Sequence, residues 1–228
     1  MRIHRAGRAD ALGLLLIHGL SSSHRVWQRN LAALGQGRRL LIAELFSPGA
    51  GPRFRLADQA RHLAEALAQE ARPVAVIGHS LGGLVALELA TRRPELVDRL
   101  VLVDVPALPY IAPLSRRLAA LAQPGSLADA RSVGVVALTL LSGNPLQLLD
   151  ATAVSVRSDL GTIAAALHIP TLVIWGEQDP LVPVAVGRRL ADLIPGARLR
   201  VLPGTGHQPQ WEAPDAFHAA VQAFLAEV

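Results

Sequence analysis

The stretch Ile77-Gly78-His79-Ser80-Leu81-Gly82-Gly83 constrains this chain more than any other feature. It joins the apolar run Val74–Ile77 to the amphipathic run Leu81–Arg93, so a Gly-x-Ser-x-Gly motif stands between an expected strand and an expected helix. A serine on such a turn takes strained backbone angles and lifts its hydroxyl above the edge of the sheet. Side chains two positions to either side would collide with the turn, which accounts for Gly78 and Gly82. The helix opening at Leu81 also aims its N-terminus at the serine, where developing negative charge is stabilised.

The rest of the chain repeats this strand–helix grammar. Leu14–Ile17, Leu40–Ala43, Leu100–Val103, Leu172–Trp175 and Leu199–Leu202 are of strand length, and most are continuously apolar. That pattern suits strands covered on both faces, as in a parallel sheet. Leu56–Ala71, Val184–Ile194 and Pro214–Val228 carry helical periodicity. The alternation predicts an α/β fold, a doubly wound and mostly parallel sheet. Residues 106–158 break it. Helical patches at Leu114–Ala122 and Leu127–Leu141 are punctuated there by Pro and Gly, without a clear strand. An insertion of roughly fifty residues is too long for a bare loop and reads as a small helical cap. The core is then 1–105 together with 159–228, with the cap inserted after the strand ending near Val103.

A serine hydroxyl is a weak nucleophile at neutral pH and needs a base that an acid holds in place. Asp179, in Trp175-Gly176-Glu177-Gln178-Asp179-Pro180, follows a strand, at the carboxyl edge where open α/β sheets place their sites. His207, in Pro203-Gly204-Thr205-Gly206-His207, follows the last strand in the same way. Asp179 also fits a turn-forming role before Pro180, and Asp104, just past Val103, is a rival acid for the same histidine. Backbone N–H donors for an oxyanion are expected at Leu81, after the serine, and at Leu20, in the loop Ile17-His18-Gly19-Leu20. His18 reads as a brace for that loop.

Composition excludes several classes. Among 228 residues there is no Cys, which removes disulfides, thiol nucleophiles and iron–sulfur clusters. The net charge is +4, and every one of the 22 basic side chains is Arg, so the high pI reflects absent Lys more than a strong positive field. The Arg residues come singly or in pairs, never in the stripe a nucleic-acid surface needs. Ala11–Ile17, after three Arg residues, only loosely imitates a secretory signal, and Val133–Leu141 is about half a bilayer crossing. The expectation is a soluble, cytoplasmic chain with no membrane span and no cleaved segment. Oligomeric state is not legible.

Leu15-Leu16-Ile17-His18-Gly19, Gly78-His79-Ser80-Leu81-Gly82-Gly83, Pro170–Asp179 and Gly206-His207 together resemble the α/β-hydrolase superfamily over nearly the whole chain, on the side of its small esterases, C–C hydrolases and haloperoxidase-like members. The resemblance implies a carboxylic ester hydrolase with a Ser80–Asp179–His207 triad, a small-molecule ester as substrate, and neither metal nor organic cofactor. Leu20, Trp27, His79, Leu81, Val182, Tyr110, Leu114, Leu138 and Leu141 would then line a pocket for short to medium acyl chains. Arg116, Arg117, Arg131 and Arg157 leave open an anionic or carrier-linked ester or a C–C substrate. A non-catalytic binding protein on the same scaffold is the remaining alternative. The resemblance differs at the amino end, where Met1–Ala6 has room for one brief strand ahead of Leu14, and in the loop Glu44–Arg53.

Overall fold

A computed structural model describes residues 1–8, 10–20, 22–46, 52–110 and 145–227. Seven strands form one sheet: β1 (Arg2–Gly7), β2 (Leu12–Ile17), β3 (Arg38–Glu44), β4 (Val74–His79), β5 (Val97–Val103), β6 (Thr171–Gly176) and β7 (Arg198–Leu202). Their spatial order is β1-β3-β2-β4-β5-β6-β7. β1 runs antiparallel to β3, and the other pairings are parallel. The apolar runs therefore read correctly: β4 and β6 are buried at every residue because helices cover both faces of the sheet. The edge strand β1, mostly exposed and carrying Arg2, His4 and Arg5, is the one brief strand for which the amino end had room.

Alternate residues of each strand feed two cores. Leu15, Ile17, Val76, Leu100, Leu102 and Val173 pack beneath the helices α2 (Leu56–Leu67), α3 (Leu81–Arg92), α4 (Pro145–Arg157), α5 (Gly161–Ala165) and α6 (Val184–Leu193). Leu14, Leu16, Ile77, Val101 and Ile174 face the other way, against α1 (Leu31–Leu34) and α8 (Pro214–Leu225). Each fully enclosed Leu contributes roughly 2 kcal/mol of burial free energy, so both cores hold the central strands in register. α7 (Pro209–Glu212) and α8 divide at Ala213–Pro214, and α8 ends at Leu225, short of the expected Val228.

The expected cap is described only at its ends. Residues 106–110 leave β5 and α4 returns from the insertion, whereas 111–144, with both expected helical patches, lie outside the described residues. Among the described residues no helix is long and apolar enough to cross a membrane.

Candidate active site

β4 delivers Ser80 to the carboxyl edge of the sheet, where it turns with φ 52° and ψ −120° directly into α3. Such angles cost a non-glycine residue on the order of 1–3 kcal/mol and are kept only where the surroundings enforce them. Here Ser80 N–H donates to Val103 O at 2.8 Å, and Ser80 O accepts from Gly83 N–H at 2.9 Å. The glycines are needed for close approach: a Cβ at Gly78 would lie 2.6 Å from Gly82 O, and one at Gly82 would lie 2.4 Å from Ile17 O. The second contact packs the start of α3 directly against the backbone after β2. Leu81, next to Ser80 in the chain, is fully buried; a Cβ at Gly19 would lie 3.1 Å from Ser80 Cβ, and the following Leu20 is partly buried against the core.

Three strand ends meet at Ser80. Its Oγ lies 3.0 Å from His207 Nε2, and His207 Nδ1 lies 2.7 Å from Asp179 Oδ2. A carboxylate at Nδ1 fixes the ring proton there, leaving Nε2 with the lone pair facing the hydroxyl. Asp179 Oδ1 accepts the N–H groups of Leu181 and Val182 at 2.8 and 3.0 Å. The two readings of Asp179 are thus compatible: one oxygen builds the turn while the other meets His207. Asp179 has no exposed side-chain surface and His207 keeps 15% of its own, so the pair is largely shielded from water.

The rival acid is engaged elsewhere. Asp104 sits at φ 48°, fully buried, with Oδ1 accepting Gly176 N–H at 2.9 Å and no hydrogen-bond partner for Oδ2. Burial, and then the charge of Asp179, push its carboxyl well above the usual range. Its carboxyl lies within 4.8 Å of ligand-type nitrogens of His79 and His207, but its hydrogen bond goes to the Gly176 backbone, and Nδ1 of His207 is taken by Asp179. His79 is almost wholly buried, and its Nε2–H donates to His207 O at 2.7 Å. Burial and then His207 lower its pKa to about 3, so it stays neutral.

The residues expected along a pocket divide. Trp27 is a correction: it is fully enclosed, with its ring 6.4 Å from Phe217, because the turn His24–Trp27 folds under the sheet toward α8. Val182 is a second. Its side chain lies in the core, and its backbone serves the site by holding Asp179 and accepting Trp175 Nε1–H at 2.9 Å. His79 is a third, lying beneath His207 rather than open to a ligand. Tyr110 is partly buried against the core. Leu114, Leu138 and Leu141 lie outside the described residues, as do Arg116, Arg117 and Arg131.

Sequence reasoning missed Glu212. Its carboxylate accepts Gly206 N–H at 2.6 Å and Gln208 N–H at 3.0 Å, clamping the residues on either side of His207. The available signal was an acid three positions after Pro209, a helix-start pattern. His18 braces its loop as expected, with Nδ1 2.8 Å from Gly19 O and Nε2 accepting Leu45 N–H at 3.1 Å. Among the described residues two groups, His79–Asp104–His207 and His4–His24–Glu44, bring metal-ligating atoms within 4.8 Å of one another.

β6 and the His207 loop touch so closely that a Cβ at Gly176 would lie 1.8 Å from Gly206 O. Because the obstacle is backbone, Gly176→Ala is expected to destabilise the fold by about 3 kcal/mol or more. Thermal melts check this, with a drop of roughly 6–12 °C expected and an unchanged midpoint contradicting the packing.

Comparison with known proteins agrees with the fold. The sequence profile described as the alpha/beta hydrolase family matches residues 14–220. A protein described as a proposed carbamate hydrolase, RutD, from Pseudomonas savastanoi pv. phaseolicola is 30% identical over 251 residues, covering 98% of this chain and 97% of its own. A crystal structure of a hydrolase from Pseudomonas aeruginosa superposes with a TM-score of 0.83 at 28% identity, over 99% of this chain and 94% of that one. A thermophilic esterase from Thermogutta terrifontis shares the fold, with a TM-score of 0.79 at 22% identity over 98% and 92%. With a seven-stranded sheet, a serine turn at the end of β4 and a profile match over most of its length, this chain belongs to the alpha/beta hydrolase family.

Proposed function

We propose that the chain is a serine hydrolase that cleaves carboxylic esters of short to medium acyl chains through an acyl-enzyme. The observation that carries this reading is the continuous contact from Ser80 Oγ to His207 Nε2 at 3.0 Å and from His207 Nδ1 to Asp179 at 2.7 Å. Ser80 Oγ attacks the ester carbonyl carbon while His207 Nε2 takes its proton. The oxyanion is held by the N–H groups of Leu81 and Leu20. His207 then gives its proton to the departing alkoxide, leaving the acyl group on Ser80. Water repeats the sequence in reverse, with His207 again as base, and releases the acid. Asp179 orients the imidazole and stabilises its charged form without accepting the proton.

A carbamate is a second acyl donor for the same steps, favoured by the relative that carries that description over nearly its full length. p-Nitrophenyl esters from acetate to dodecanoate, with an aryl carbamate beside them, distinguish the readings. Turnover with a short to medium optimum supports the ester reading, and a marked preference for the carbamate replaces it with the second. Turnover confined to anionic esters and suppressed by salt would favour an Arg-lined site instead. Binding of esters without turnover would leave only a ligand-binding scaffold.

A further inference from the structure

Away from Ser80, the edge strand, the turn after β2 and the end of β3 bring three ligand-type side chains together. His4 projects from β1, His24 opens the turn His24–Trp27, and Glu44 ends β3. The two imidazole centroids are 4.2 Å apart with planes inclined by 32°, and both rings turn a nitrogen toward the same carboxylate oxygen. His24 Nδ1 is 2.6 Å from Glu44 Oε2, and His4 Nε2 is 4.0 Å from it. We propose that His4, His24 and Glu44 form a binding site for a borderline-soft divalent cation, with zinc as the ion it takes best among common cellular metals.

Geometry supports a chelate. Zinc with nitrogen and oxygen ligands at about 2.0–2.2 Å in a tetrahedron sets ligand atoms roughly 3.4 Å apart. The distances of 2.6 and 4.0 Å fall on either side of that value, so His24 must retreat and His4 approach, each by less than about an ångström. Both rings are about one-third exposed and free to make that adjustment. Water would complete the fourth position.

Glu44 is already oriented for the task. Its Oε2 receives the His24 backbone N–H at 3.2 Å in addition to facing the His24 ring. Contacts of this kind behind a metal ligand fix its direction and are a regular part of such sites. An imidazole–carboxylate hydrogen-bond network without affinity for metal is the competing account.

Untagged, metal-free protein titrated with zinc chloride by calorimetry at about pH 7.5 separates the two. One zinc per chain is expected, with a melting temperature that rises with zinc. His4→Ala and His24→Ala should each weaken binding about tenfold or more while leaving the metal-free melting temperature near its original value. His168→Ala, at an exposed site elsewhere, should change neither. No zinc uptake, or uptake unaffected by either histidine substitution, would overturn the proposal, as would uptake lost in His207→Ala and kept in His4→Ala.

Discussion

Ser80→Ala is expected to lower ester turnover by at least about 10⁴-fold. Alanine keeps the Cβ, so the turn at φ 52° gains no new clash and no new freedom. What disappears is the Oγ that His207 Nε2 faces at 3.0 Å. Losing that one partly exposed hydrogen bond costs about 1 kcal/mol, so the variant should melt close to the parent. Side-by-side kinetics on separately purified proteins check the effect. Turnover equal in parent and variant would place the chemistry at another site.

Asp179→Asn is expected to lower kcat about 10⁴-fold with the fold retained. The reason lies in which oxygen does what. Oδ1 holds the Leu181 and Val182 N–H groups, so the amide oxygen of Asn must take that position to keep both bonds. The NH2 group then faces His207 Nδ1 and can only donate, which moves the ring proton to Nε2. With Nε2 protonated, the histidine has no lone pair for the Ser80 proton. Fluorescence and melting curves should report a folded protein while the rate collapses. A rate within tenfold of the parent would mean that another acid orients His207, and Asp104, with its unpartnered buried Oδ2, would be the first to examine.

The chain shows which parts of such a site are legible before the structure. Runs such as Val74–Ile77 and Leu172–Trp175 are continuously apolar because helices cover them on both sides, and covered strands announce themselves by composition. Gly78 and Gly82 announce the turn because backbone atoms occupy the space where a Cβ would go. Asp179 and His207 were singled out by strand ends and chain order, and the fold brings the two side chains within 2.7 Å of each other.

Other roles depended on distances between segments far apart in sequence. Trp27 resembles a pocket residue until α8, nearly two hundred positions later, brings Phe217 against it. Val182 reads as an apolar wall, yet its backbone is what the site uses. Glu212 lies on a short helix after His207, and only the fold reveals that its carboxylate holds both neighbouring amides. Asp104 read as a rival acid for His207 because sequence carries no sign of its full burial or of its bond to the Gly176 N–H.

The central claim is that Ser80 carries the acyl group. Rapid acid quenching during turnover of p-nitrophenyl butanoate, followed by intact-protein and peptide mass spectrometry, tests it directly. One butanoyl group per chain is expected, on the peptide containing Ser80, and none on Ser80→Ala. A butanoyl group on any other residue, or equal labelling of the two proteins, would contradict it.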